Sequence, residues 1–121
     1  HQSVVSDVFE YLKKVDTKYE LVILDPPAFA KSAKAVDNAA RGYKELNMLG
    51  MKATKSGGLL ATFSCSQNIS PDLFQKIVFS AASDLQLQVR IIQKLTQPLD
   101  HPINIFHPES EYLKGLLLYV D

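Results

Sequence analysis

Leu21-Val22-Ile23-Leu24-Asp25-Pro26-Pro27 is the stretch on which the reading of the whole chain turns. Four apolar residues in a row, without alternation, predict a strand buried on both faces, as in a parallel sheet covered by helices. The run stops abruptly at an acid and two prolines. Proline lacks an N–H and fixes its own φ, so pairing ends there and a stiff turn begins.

Downstream, Ala39, Tyr43, Leu46, Leu49 and Ala53 recur every three or four residues and predict an amphipathic helix over about 38–55. Ser56-Gly57-Gly58 is read as its stop, because glycine tolerates the left-handed cap conformation. Leu59 to Phe63 is the next strand, followed by the polar run Ser64-Cys65-Ser66-Gln67-Asn68. Ser70-Pro71-Asp72 carries a capping hydroxyl, a proline at the first helical position and an acid at the positive dipole end. Leu73, Phe74, Ile77, Val78, Ala81 and Ala82 continue that helix. Leu87, Val89 and Ile91 alternate in a strand over 87–95, and Tyr112 to Val120 form the last strand. Between them, 96–111 is a loop with two His-Pro pairs. Upstream, Val8, Leu12 and Val15 mark a short helix over 7–14 with Asp7 as its cap, preceded by a strand-like pair, Val4 and Val5. Strands joined through helices run parallel, and the final strand, reached by a loop, is expected to insert antiparallel. The fold class is α/β, half of a doubly wound sheet.

The 121 residues suit one domain, and 46% hydrophobic content suffices for a core. Thirteen basic and 13 acidic side chains cancel, which excludes a uniformly basic nucleic-acid binder but not a local basic face. No apolar run is long enough to span a membrane, and no signal-peptide pattern opens the chain. One cysteine cannot form an internal disulfide or a multi-cysteine zinc site, so a reducing, cytoplasmic setting is expected. The chain opens without Met and in mid-unit, as a piece of a longer protein would.

Ligands of open α/β sheets bind beyond the carboxyl ends of the strands, and the two most unusual polar stretches fall there. Asp25-Pro26-Pro27-Ala28-Phe29 offers a held carboxylate and free carbonyls that could grip a planar base with an exocyclic amine, with Phe29 as a stacking surface. The same residues also read as a plain strand-ending turn. Cys65 reads either as a small packing residue or, among its polar neighbours, as a thiolate nucleophile. From Ala30 to Ser56, Lys31, Lys34, Arg41, Lys44, Lys52 and Lys55 face only Asp37 and Glu45, an excess that could track phosphates or simply be a solvated helix face. His101 and His107 lack a metal-ligand spacing, so no metal is expected. None of the glycines makes the Gly-x-Gly of a nucleotide-binding turn.

LVILDPPAF, ARGYKELNMLGMKATKSGGLLATFSCSQNISPDLFQKIV and LDHPINIFHPESEYLKGLLL, in that order, closely resemble the C-terminal half of bacterial class I S-adenosylmethionine-dependent methyltransferases. Among these, the chain resembles in particular the large-subunit ribosomal RNA cytosine-5 methyltransferases. The resemblance covers nearly the whole chain. It implies a Rossmann-like sheet, mostly parallel with a final antiparallel strand, and a partial catalytic domain over 1–121. It further implies that Asp25, Pro26 and Pro27 lie beside the base and the methyl donor, and that Cys65 attacks C6 of cytosine. Asp7, with Val8 alongside, would contact the donor's adenine amino group, while Phe29, Lys31, Arg41 and Lys44 would meet the RNA. Ala28 stands where many RNA cytosine-5 methyltransferases carry a second cysteine, although the large-subunit branch lacks it too. The family's glycine-rich turn and ribose-binding acid lie upstream of this chain. Its donor site is therefore expected to be incomplete and the chain alone inactive. In that fold Leu21 to Leu24 would pair with an upstream strand, so self-association through a free edge is expected. An amine-directed methyltransferase, with Cys65 structural, and a noncatalytic RNA-binding module are the alternatives.

Overall fold

The computed structural model describes residues 1–30 and 32–121. Helix α1 (Val8–Lys14) starts where Asp7 accepts hydrogen bonds from the N–H groups of Phe9 and Glu10. Strand β1 (Tyr19–Leu24) leads through the Asp-Pro-Pro turn to helix α2 (Val36–Ala53). Strand β2 (Thr54–Ser64) follows, then helix α3 (Pro71–Asp84), strand β3 (Val89–Leu95) and strand β4 (Lys114–Val120). The Ser70 hydroxyl accepts from the N–H of Leu73 and caps α3, as the Ser-Pro-Asp signature predicts.

The sheet order is β1-β2-β4-β3. β1 and β2 pair in parallel, and β4 lies antiparallel between β2 and β3. The first three strands therefore share one direction and the last is inserted against them, as expected. α2 lies over β1 and β2 and packs along α3, which reaches β4. Tyr43, Leu46, Phe74, Ile77 and Ala81 from the two helices close over Leu24, Leu60, Leu116 and Leu118. No helix among the described residues is long and apolar enough to cross a membrane.

Several expectations are corrected. Leu21 to Leu24 is not buried on both faces: Leu24 is in the core, whereas Leu21 and Ile23 are 51% and 62% exposed. Their side chains point away from α2, and no helix among the described residues packs there. Val4 and Val5 form no strand and are exposed. β3 begins at Val89, leaving Leu87 outside it, and its alternation breaks at a bulge between Ile91 and Gln93. The loop before β4 contains a short bridge, Asn104 with His107, and a single 3-10 turn, Pro108–Ser110.

Ser56-Gly57-Gly58 does not stop α2. The helix ends at Ala53, where the Thr54 hydroxyl donates to the Gly50 carbonyl. The glycines instead lie inside β2, in a bulge where two residues of β1 run beside five of β2. Gly57 takes φ +78° there, which glycine alone adopts without strain. At Gly58 a Cβ would stand 2.8 Å from the Lys55 carbonyl and 3.0 Å from that of Glu20.

Candidate active site

Because β1 and β2 are parallel, they end on the same side of the sheet, with Leu24 opposite Thr62. Antiparallel β4 starts where they end, with Lys114 opposite Ser64. Three backbones thus converge on one rim, and both polar motifs lie on it.

The structure brings Asp25-Pro26-Pro27 and Ser64-Cys65-Ser66 together. The half-buried Cys65 thiol points at the Pro26 carbonyl, with Sγ 3.8 Å from the oxygen. Asp25 is exposed at the end of β1, and among the described residues its carboxylate has no hydrogen-bond partner. The tie between the loops is Ser66, fully buried. Its hydroxyl accepts from the N–H of Ala30 at 3.1 Å and bonds the Tyr43 hydroxyl at 2.9 Å. Its own N–H donates to the Ser64 hydroxyl. Ser64 and Ser66 are therefore structural hydroxyls in the core, not a solvated polar run.

Beneath this turn lies Lys114, whose ammonium donates to the carbonyls of Ser66 and Ile69 at 2.6 and 2.7 Å. Burial pushes that ammonium below its ordinary value, with Cys65 pulling it partly back up. The Gln67 side chain donates to the Glu109 carbonyl at 2.7 Å and pins the long loop to the rim.

Phe29 packs on Tyr43 with ring centroids 4.6 Å apart and reaches Phe9 at 6.4 Å. This aromatic row draws α1 against the Asp-Pro-Pro loop and sets Asp7 and Val8, both exposed, at the flank of the rim. One Asp7 oxygen is committed to the cap, by the N–H groups of Phe9 at 2.9 Å and Glu10 at 3.1 Å. Arg41 and Lys44 lie elsewhere, in the groove between α2 and α3, and Lys44 pairs with Asp84 at 2.8 Å. Lys31 lies outside the described residues. His101 sits by Asp100 and His107 by Glu109, both exposed. The described residues hold no cluster of three metal-ligating side chains.

Tyr43, Ser66 and Lys114 are the site residues that sequence reasoning missed. Tyr43 read as one more member of an apolar stripe, and Lys114 as an ordinary strand-end lysine. The only available hint was a lysine amid an otherwise apolar strand, KGLLLYV.

No family model matches the chain. It is 48% identical to the ribosomal RNA large subunit methyltransferase I of Alteromonas mediterranea, covering 98% of this chain and 31% of that protein. Identity to the protein of the same name from Pseudoalteromonas atlantica is 49%, covering 94% and 30%. A Streptococcus mutans structure described as a candidate SAM-dependent methyltransferase superposes with a TM-score of 0.79 at 25% identity, covering 98% of this chain and 31% of that one. The chain spans less than a third of the length of the relatives it matches. Over that span it is homologous to them, and it has the α/β sheet of a class I methyltransferase.

Proposed function

We propose that this chain forms the base-facing rim of an S-adenosylmethionine-dependent methyltransferase acting on C5 of a cytosine in large-subunit ribosomal RNA, in the cytoplasm. The observation that carries the reading is the approach of the Cys65 sulfur to the Asp25-Pro26-Pro27 turn. Two loops from different strands are held together there by buried hydrogen bonds, so nucleophile and base-orienting groups share one fixed geometry. The names and fold of the relatives support the reading.

The residues present fit one side of the methyl donor. Asp25 offers an unengaged carboxylate at the strand end, and the second oxygen of Asp7 has no partner among the described residues. Asp7 and Val8 would hold the adenine edge, and Asp25 and Pro26 the reacting end. When bound, the donor supplies a methyl group on a positively charged sulfur.

Cys65, as a thiolate, adds its electron pair to C6 of the cytosine, and the displaced ring pair makes C5 nucleophilic. C5 takes the methyl group as its bond to the donor sulfur breaks, the bonding pair staying on that sulfur as a neutral thioether. Loss of the C5 proton to water then restores the ring double bond and expels the Cys65 sulfur as a thiolate. Asp25 and the Pro26 carbonyl accept hydrogen bonds from the base's exocyclic amine and hold the ring over the sulfur. Pro27 and the exposed part of Phe29 support the ring, while Arg41 and Lys44, in the groove between α2 and α3, would meet RNA phosphates away from the base.

One observation favours a second reading. The Cys65 thiol is half-buried and engaged with Pro26, as a packing residue would be, and Asp-Pro-Pro alone could serve an amine acceptor. Cys65→Ala in the full-length protein separates the two. Loss of 5-methylcytidine by at least about a thousandfold, with the melting temperature unchanged, is expected. Undiminished methylation of an exocyclic amine would establish the second reading, and an intact protein that binds RNA without methylating it would leave only a binding module.

A further inference from the structure

Tyr43 is fully buried in the N-terminal half of α2. Its ring lies against that of Phe29, just beyond the Asp-Pro-Pro turn, with centroids 4.6 Å apart. Phe74 of α3 backs it edge-on at 5.7 Å. Phe29 can lie this close to α2 because Gly42 carries no side chain: a Cβ there would stand 3.2 Å from the Phe29 ring. Packing of this kind asks only for the tyrosine ring. Phenylalanine would fill the same space with no polar oxygen to satisfy, whereas a buried phenol hydroxyl needs a partner. The hydroxyl must serve something else.

Its partner shows what. The Tyr43 hydroxyl bonds that of Ser66 at 2.9 Å, and the Ser66 oxygen also accepts from the Ala30 N–H at 3.1 Å. Ser66 adjoins Cys65, and Ala30 closes the segment that begins at Asp25. The two bonds therefore tie the backbone beside the nucleophile to the backbone beside the base-orienting turn. The direct contact between those loops, from the Cys65 sulfur to the Pro26 oxygen at 3.8 Å, is too long and weak to set their spacing. Ser66 and Ala30 both lie on loops, whereas Tyr43 belongs to a helix packed on β1, β2 and α3. The phenol is the fixed point of the three.

We propose that Tyr43 is a positioning residue: its hydroxyl, acting through Ser66, fixes the spacing of Cys65 from the Asp25-Pro26-Pro27 turn and so sets the rate of methyl transfer, not the binding of RNA or donor. This rests on the reading of Cys65 as the nucleophile. A reacting group displaced by about 1 Å loses about a hundredfold in rate, and a slackened tie with the ring still in place loses less.

Tyr43→Phe in the full-length protein removes the hydroxyl and keeps the ring. At saturating large-subunit ribosomal RNA and donor, well below the melting temperature, single-turnover formation of 5-methylcytidine should slow about tenfold. The half-saturating concentrations of both should stay within about twofold. Hydrogen exchange at the Ala30 amide should quicken at least about tenfold, since its acceptor is no longer held. Ser66→Ala should be at least as slow, and the double variant no more than about twofold slower than Ser66→Ala, because one hydroxyl acts through the other. Effects that multiply would overturn the proposal. So would an equal loss of rate in Ile77→Val, a core shortening in α3, at the same change in melting temperature. Should Ser66→Ala not fold, Tyr43→Phe decides alone: an unchanged rate or unchanged Ala30 exchange overturns the proposal. An unchanged Tyr43→Phe rate beside an inactive Cys65→Ala would refute the tie and leave the nucleophile standing. Undiminished methylation by Cys65→Ala would refute the nucleophile and this role with it.

Discussion

Ser66 shows how much of the site depends on single hydroxyls. Its oxygen serves the Ala30 N–H and the Tyr43 hydroxyl at once, in a fully buried position. Ser66→Ala removes both partners and leaves a buried amide unpaired, at a cost of about 1–3 kcal/mol. Urea denaturation should show that loss, and a midpoint unchanged from wild type would mean that water takes over the role of the hydroxyl. Cys65 is the opposite case. A half-buried thiol with one long contact contributes little to the fold, so its replacement is expected to alter chemistry and not stability. Composition could not separate these neighbours, because Ser64-Cys65-Ser66 reads as a uniform polar run. Burial separates them.

At the level of elements, the start of β2 departs furthest from its sequence signature. Glycines after a helix ordinarily mark its end, and here they accommodate a bulge in the following strand instead. The helix could end without them because Thr54 closes it, its N–H and its hydroxyl both donating to the Gly50 carbonyl. Gly58 is held between two backbone carbonyls, which cannot swing aside as a side chain would. Gly58→Ala should therefore cost about 1–3 kcal/mol by overpacking, measured as a lowered denaturation midpoint. A neutral result would show that the bulge can open. α3, by contrast, follows its local signals: cap, proline, acid and apolar stripe all agree with the observed Pro71–Asp84.

Across the whole molecule, the sheet is covered on one face only by the described helices. Leu21 and Ile23 stand exposed on β1, which pairs with β2 on one side and, among the described residues, with no strand on the other. Beyond Glu20, the run Leu21 to Leu24 carries no charge or proline, and such an apolar edge is a template for another strand. We propose that the 121-residue chain by itself self-associates, a second copy pairing along β1. Light scattering at high micromolar concentration should give a mass of at least a dimer, and Ile23→Lys should lower it. A stable monomer would refute the edge pairing.

Periodicity and turn chemistry are local, and they were enough to place three helices, four strands and the antiparallel insertion from residues alone. They also put Asp25 and Cys65 on one rim, because parallel strands must end on the same side. The quoted motifs carried the resemblance to the methyltransferases. Only the tertiary structure could decide which polar residues are structural. Tyr43 and Ser66 are 23 positions apart, and Ser66 and Lys114 are 48 apart. Nothing in the chemistry of a buried lysine or serine reveals its partner until the strands are ordered β1-β2-β4-β3. Exposure of the β1 face was illegible for the same reason: an apolar run states what a strand can bury, and neighbouring elements determine whether it is buried.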